Sequence, residues 1–177
     1  MKYAILIALQ LCAFSAFSQL DLPSWLQADT TGEYVTVNGS ISLSRDSLPT
    51  DGMITVTKRG KDFGVYQFAC DKKGEFKIFL PANGHYSIRF DKEGYIGKTI
   101  DVFTTNIPKK VWRNYFALEL NGVLQEEPKG FDKAVTMVPM MIAKYDADVK
   151  FFVFDEEFAK VRQEAVQKEI ERCKQNL

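Results

Sequence analysis

The sequence predicts a mainly β protein, a seven-stranded antiparallel β-sandwich with a C-terminal strand-plus-helix extension. Short runs of alternating apolar and polar residues recur roughly every 8 to 12 residues, as in sandwich folds. Glycine, asparagine and aspartate separate these runs, and the loops are too short for a crossover helix, which indicates antiparallel pairing. Near the end of the chain the apolar side chains recur at helical spacing instead.

The first residues have the pattern of a secretory signal peptide. Lys2 precedes an apolar run, Ala4 to Phe17, that is shorter than the roughly 20 residues a membrane span needs. We predict cleavage after Ser18, so that residues 1–18 are removed and the mature chain is exported to the periplasm, the outer membrane or beyond. A retained anchor and lipidation at Cys12 are the alternatives.

Residues 19–32 are predicted to be a polar lead-in segment, and residues 33–106 the β-sandwich. Asn38-Gly39 is predicted to be a turn or bulge that divides the first apolar run. Each strand has one apolar face, which places the following residues in the core: Val35, Val37, Ile41, Leu43, Ile54, Val56, Tyr66, Phe68, Cys70, Phe76, Ile78, Leu80, Tyr86, Ile88, Phe90, Ile100 and Val102.

Residues 107–177 are predicted to form an α/β extension. It begins with a further strand around residues 115–120 and continues through a methionine-rich stretch to the strand-like VKFFVFD. An amphipathic helix over residues 155–176 ends it. Asp155 is its predicted N-cap, and Glu156 and Glu157 suit the positive end of the helix dipole.

Composition and side-chain chemistry exclude several classes of function. The chain has 23 basic and 23 acidic residues, so it has no electrostatic footprint for nucleic acid. His85 is the single histidine, and with Cys70 and Cys173 it cannot complete a zinc site. We therefore predict no catalytic, metal-binding or cofactor-binding residues and no cofactor. A Cys70–Cys173 disulfide is permitted in an exported chain and stays open.

Three acidic stretches are candidate calcium loops. Asp71-Lys72-Lys73-Gly74 and Asp91-Lys92-Glu93-Gly94 carry lysines where calcium needs oxygen ligands, so we predict that both are turns between strands. Asp146 and Asp148 form a third candidate, but Val149 and Lys150 follow where further ligands would be needed.

The stretch DKKGEFKIFLPANGHYSIRFDKEGY, residues 71–95, resembles the core of the carboxypeptidase regulatory-like (transthyretin-like) domain family. The resemblance implies a seven-stranded sandwich of prealbumin-like topology, generally without catalysis. The signal pattern and the tail FDKAVTMVPMMIAKYDADVKFFVFDEEFAK look like those of exported proteins of Gram-negative cell envelopes.

These observations predict a non-catalytic exported binding or structural module of the cell envelope, and not an enzyme. Its partner would be a protein, with no nucleic acid and no transmembrane segment after signal cleavage. One alternative is a carbohydrate-binding module, with Trp112 and Tyr115 as an aromatic platform that serves as the ligand or partner surface. Another is a hydrolase that uses paired carboxylates.

Overall fold

The computed structural model describes residues 23–26, 33–44, 52–71, 73–114 and 116–175. The predicted signal peptide, most of the lead-in segment and Tyr115 lie outside these ranges. Within the described residues the chain is mainly β, with two sheets and one α-helix at the C-terminal end. The class predicted from the sequence is confirmed at this level.

Nine strands form the two sheets. They are β1 (Tyr34–Leu43), β2 (Met53–Arg59), β3 (Gly64–Ala69), β4 (Glu75–Pro81), β5 (His85–Asp91), β6 (Lys98–Phe103), β7 (Phe116–Leu124), β8 (Met141–Asp146) and β9 (Phe151–Phe154). The three-stranded sheet has the order β4-β1-β7, and the six-stranded sheet has the order β3-β2-β5-β6-β8-β9. Short 3₁₀ helices lie at Ser24–Leu26, Lys109–Asn114 and Lys133–Thr136, and helix α1 spans Glu156–Gln175.

The sequence-based prediction of seven antiparallel strands is wrong in number and in direction. The described chain has nine strands, and two pairs, β1 with β7 and β6 with β8, are parallel. The consecutive strands that pair, β2 with β3, β5 with β6 and β8 with β9, are antiparallel, as short loops require. The parallel partners are far apart in sequence, and the chain between β6 and β8 passes through β7 in the other sheet. Three strands therefore come from residues 107–177, the segment predicted as an extension.

Gly39 lies inside a continuous strand, and the predicted turn or bulge at Asn38-Gly39 is wrong. Gly39 occupies an inward-facing position of β1, and the ring of Phe76 on β4 fills the space that a side chain would take. A Cβ built at Gly39 would lie 2.4 Å from Phe76 and 2.2 Å from the carbonyl oxygen of Leu120. A glycine covered by an aromatic ring of the neighbouring strand is a known device for keeping a strand paired.

Most of the core between the two sheets consists of the alternating residues that the strand patterns predict, whereas Tyr66 and Phe68 are only partly buried against it. Val35, Val37 and Leu80 from the three-stranded sheet face Ile54 and Ile88 from the other, and all five are fully buried. Leu26 is buried and Trp25 is partly buried against the same core, so the lead-in contributes to it.

A second, smaller hydrophobic cluster holds helix α1. It contains Ile96, Phe131, Val166, Ile170 and Cys173. Val161, in the second turn of the helix, is exposed. Cys70 is buried in the main core and Cys173 in this satellite cluster, so the Cys70–Cys173 disulfide left open by the sequence is not formed in the structure.

Helix α1 begins and ends within a residue of the predicted limits. The carboxylate of Asp155 accepts a hydrogen bond from the backbone N–H of Phe158 (3.1 Å), which confirms the predicted N-cap. The helix is clamped to the preceding segment by Glu169, which accepts from the backbone N–H of Asp132 (2.9 Å) and pairs with Arg172. Arg172 also donates to the carbonyl of Gly130 (2.8 Å).

No helix within the described ranges is long and apolar enough to cross a membrane.

Replacing Gly39 by alanine is expected to destabilise the fold by about 1–3 kcal/mol, because the new methyl group collides with the Phe76 ring and a backbone oxygen. Chemical denaturation measures the free energy of unfolding. Gly122→Ala on β7 is the matched control, since a Cβ there meets only Phe90, at 4.0 Å. Equal stability of the two variants would contradict the role of Gly39.

Acid should weaken the clamp at Glu169. Its hydrogen bonds from Arg172 and from the backbone of Asp132 lower the pKa of Glu169 from 4.5 to about 2. A lowered folded-state pKa stabilises the fold above pH 4.5, and this contribution disappears as the pH falls toward 2. The difference in Tm between wild type and Glu169→Gln should therefore be largest near neutral pH and vanish near pH 2. The control is Glu164→Gln, which removes an exposed carboxylate from the same helix and leaves the clamp intact.

Candidate functional site

The aromatic platform predicted from the sequence is not formed by Trp112. Its side chain is buried in the main core and packs edge-on against Phe116, with ring centroids 5.9 Å apart. Tyr115 lies outside the described residues. An aromatic-rich stretch can form a ligand surface, but this stretch supplies the core residues Trp112 and Phe116.

The two stretches predicted to be turns, after Asp71 and after Asp91, are turns, and Asp146 also precedes a turn. The Asp71 carboxylate accepts from the backbone N–H groups of Lys73 (2.8 Å) and Glu75 (2.7 Å), and Gly74 adopts a positive φ of 75°. Gly94 closes the second turn with a φ of 79°. Asp146 accepts from the backbone of Asp148 and Val149, and these bonds lower its pKa. The described residues contain no group of three or more side chains that could hold a metal ion.

The single histidine belongs to a polar network on the outer face of the six-stranded sheet. His85 Nε2 lies 2.8 Å from Asp101 Oδ2, and Ser87 Oγ donates to Asp101 Oδ1 (2.6 Å). Arg59 Nε donates to Ser87 Oγ (2.8 Å), and the His85 ring stacks on Phe103. The aspartate stands between the serine and the histidine. The network therefore lacks the serine–histidine–aspartate order of a nucleophilic triad, and it satisfies the buried carboxylate of Asp101.

A cavity of about 220 Å³ lies on the same sheet face, between the end of β5 and the segment that leads to helix α1. Its first wall is Arg89 and Asp91, which are two residues apart and so share one face of the strand. The second wall is the loop 92–97. The third comes from residues 127–136, which include the 3₁₀ helix Lys133–Thr136.

Backbone hydrogen bonds fix the loop against the C-terminal segment. The N–H of Ile96 donates to the carbonyl of Gln125 (2.8 Å), and the N–H of Glu127 donates to the carbonyl of Gly94 (2.9 Å). Ile96 and Phe131 pack together in the satellite cluster beneath the cavity. The walls are therefore held in place without a ligand, which reduces the entropy that binding would cost.

Arg89 is the central cation of this cavity. Its Nε donates to Asp91 Oδ2 (2.7 Å), and its Nη1 donates to Thr99 Oγ1 (3.2 Å) and to the carbonyl of Thr136 (3.0 Å). Nη2 has no acceptor among the described residues, and the Arg89 side chain is 24% exposed to solvent. The guanidinium is thus fixed by three partners and retains donors for a fourth.

Gly97 leaves room beside this guanidinium. A Cβ at Gly97 would lie 2.5 Å from Arg89 Nη2 and 2.4 Å from Asp91 Oδ1. Any side chain larger than hydrogen would displace the Arg89–Asp91 pair. Access to the remaining donors of Arg89 therefore depends on a glycine at this position.

The charges around the cavity are balanced. Arg89, Lys92 and Lys133 are the cations of its lining, and Asp91, Glu93 and Glu127 are the anions. Lys133 Nζ lies 3.1 Å from Glu127 Oε2, with Lys133 largely exposed. The site can therefore hold both an anionic and a cationic group.

The amino-acid sequence alone does not predict this cavity. The alternation in β5 places Arg89 on the polar face, but nothing in it shows that Thr136 and Glu127 return to that face. Two signals were present: an Arg-x-Asp pair within a strand, and Gly97 before the next strand. Neither is specific without the tertiary structure.

The chain matches no protein-family model, and a comparison with curated proteins finds no match. Among solved structures it is similar to 3-chlorocatechol 1,2-dioxygenase from Rhodococcus opacus 1CP, with a TM-score of 0.42 and 12% identity over 58% of this chain and 63% of the other. Hydroxyquinol 1,2-dioxygenase from Pseudomonas putida DLL-E4 gives a TM-score of 0.42 and 10% identity, over 58% of this chain and 59% of the other. The chain thus spans about three fifths of the length of these proteins.

These neighbours are enzymes, and this finding contradicts two predictions made from the sequence. The prediction of a non-catalytic binding or structural module of the cell envelope is wrong in its exclusion of catalysis, and so is the prediction that the chain is not an enzyme. The exclusion rested on the scarcity of histidine and cysteine, which removes some mechanisms and not catalysis as a whole. At these TM-scores the similarity assigns no activity to the chain.

Proposed function

We propose that this chain is an exported protein that binds a small organic molecule through a carboxylate, in the cavity beside Arg89. The observation that carries the proposal is the fixed guanidinium of Arg89, whose Nε and Nη1 have three partners and whose Nη2 has none within the part of the chain that the structure describes. Guanidinium groups form strong charge-assisted hydrogen bonds to carboxylates. A carboxylate bound there accepts hydrogen bonds from Nη2 of Arg89.

The size and charge of the cavity select among anions. At about 220 Å³ it is smaller than the roughly 300–1,000 Å³ of sites for drug-sized ligands. The lining carries three cations and three carboxylates and is neutral before binding, so a monoanion on Arg89 adds one negative charge whereas a dianion such as phosphate would add two. A small monocarboxylate fits both constraints.

The proposal includes the compartment and the type of sandwich. The lysine, apolar run and small residues before Gln19 support export, to the periplasm or the outer membrane. The carboxypeptidase regulatory-like (transthyretin-like) assignment is supported by residues 71–95, where the family motif coincides with strands β4 and β5 and the turns that precede and follow them.

Expression of the full chain in a Gram-negative host tests the export. The mature protein should fractionate with the periplasm or outer membrane and begin at Gln19, because the signal is removed after Ser18. N-terminal sequencing and mass measurement of the purified protein determine the cleavage site. A protein that keeps residues 1–18 in the cytoplasmic fraction would contradict the proposed compartment.

Replacing Arg89 by glutamine tests the binding site. Hydrogen bonds to charged groups contribute about 1.5–3 kcal/mol. The Kd for a small monocarboxylate, measured by isothermal titration calorimetry, should therefore rise about tenfold to a hundredfold. Gly97→Ala should weaken binding too, because it displaces the guanidinium without removing it.

Arg59→Gln is the matched control for Arg89→Gln. Arg59 lies on the same sheet face and also makes a side-chain hydrogen bond, to Ser87, but it does not line the cavity. Monocarboxylate affinity should be unchanged in this variant. If Arg59→Gln and Arg89→Gln weaken binding equally, the carboxylate site is not at Arg89. Thermal melts of each variant show whether the fold is retained.

A further inference from the structure

We propose that the ligand is a zwitterion of amino-acid size, whose carboxylate binds Arg89 and whose ammonium binds Glu127. This inference rests on the proposed carboxylate site and deepens it by naming the class of ligand. Three features of the cavity carry it: its volume, the balance of its charges and the weak internal pairing of Glu127.

The volume of the cavity limits the size of the ligand. A water molecule takes about 30 Å³ of liquid, so 220 Å³ holds the equivalent of about seven waters. That space suits a free amino acid and excludes a long peptide. Ile96 and Phe131 lie in the lining and are buried, so they offer a small apolar surface to a side chain of modest size.

The balance of charges favours a ligand that carries both signs. A monocarboxylate alone would satisfy Arg89 and leave the three lining carboxylates without any new partner. A ligand ammonium adds an attractive interaction with these carboxylates, in a partly enclosed space where water screens charge less than in bulk. A zwitterion thus interacts with both the cations and the anions of the lining.

Glu127 is the acceptor best placed for the ammonium. Its side chain is 22% exposed, and its backbone is fixed by the hydrogen bond from its N–H to Gly94. Its partner Lys133 is 68% exposed, so the pair is a surface ion pair at the mouth of the cavity. Such pairs contribute little to stability, and a ligand ammonium can replace the lysine at little cost. In the structure Lys133 stands where the ligand's ammonium would bind.

Three probe compounds test the carboxylate contact and the ammonium contact of the ligand separately. L-valine carries both groups, isovalerate lacks the amine, and isobutylamine lacks the carboxylate, while all three keep the same branched side chain. Calorimetry on the full mature chain should give L-valine an affinity about tenfold higher than that of isovalerate, because the second charged contact is made only by valine. Isobutylamine should bind the most weakly, since it cannot use Arg89.

Two variants at the mouth of the cavity should act in opposite directions. Glu127→Gln should remove the preference for L-valine over isovalerate, because the ammonium loses its acceptor. Lys133→Gln should tighten L-valine binding several-fold, because it removes the competitor for Glu127. Glu164→Gln, on the exposed face of helix α1, should change neither.

The outcomes distinguish this inference from the proposed function. If isovalerate binds as tightly as L-valine and Arg89→Gln weakens both, the carboxylate site stands and the zwitterion is excluded. A preference for L-valine that survives in Glu127→Gln excludes Glu127 as the acceptor. If neither acid binds with a Kd below about 10 mM, the carboxylate site and the zwitterion are both excluded.

Discussion

The return of the C-terminal third of the chain to both sheets is the constraint on which the structure depends. β7 pairs in parallel with β1 and completes the three-stranded sheet, and β8 pairs in parallel with β6 and extends the six-stranded sheet. Because β7 and β8 are anchored in different sheets, the chain between them must cross the end of the sandwich. Residues 125–136 make that crossing, and they form one wall of the cavity beside Arg89.

Arg89 connects the crossing segment to the sandwich. Its side chain reaches one residue of its own strand, one of the neighbouring strand and the backbone of Thr136. On the far side of the segment, Glu169 and Arg172 of helix α1 hold residues 130–132. The segment is therefore fixed from both faces by charged groups, with the satellite cluster between them. The hydrogen bonds that hold residues 125–136 between the sandwich and helix α1 also preorganise the cavity.

Local patterns were sufficient for most of the elements and insufficient for their arrangement. The alternation of residues such as Val35 and Ile88 with polar neighbours predicted strands and core, and Asp155 predicted the start of the helix. The role of Gly39 depends on Phe76, a residue of another strand, so the Asn-Gly pair alone predicts a turn that does not form. The parallel pairs and the cavity depend in the same way on contacts between distant segments, which no local signal encodes. Trp112 is a core residue, although its aromatic-rich stretch predicted a ligand surface.

The parallel pairing of β1 with β7 also sets the order in which the fold can be completed. Asn38 and its partner Glu119 are 81 residues apart in sequence, so β1 has only β4 beside it until most of the chain is available. Pairings of such high sequence separation slow folding, because the loop must close before the contacts repay its entropy. A fragment that ends before β7 exposes the open edge of β1, which is a template for aggregation. The protein should therefore tolerate loss of its last helix better than loss of its seventh strand.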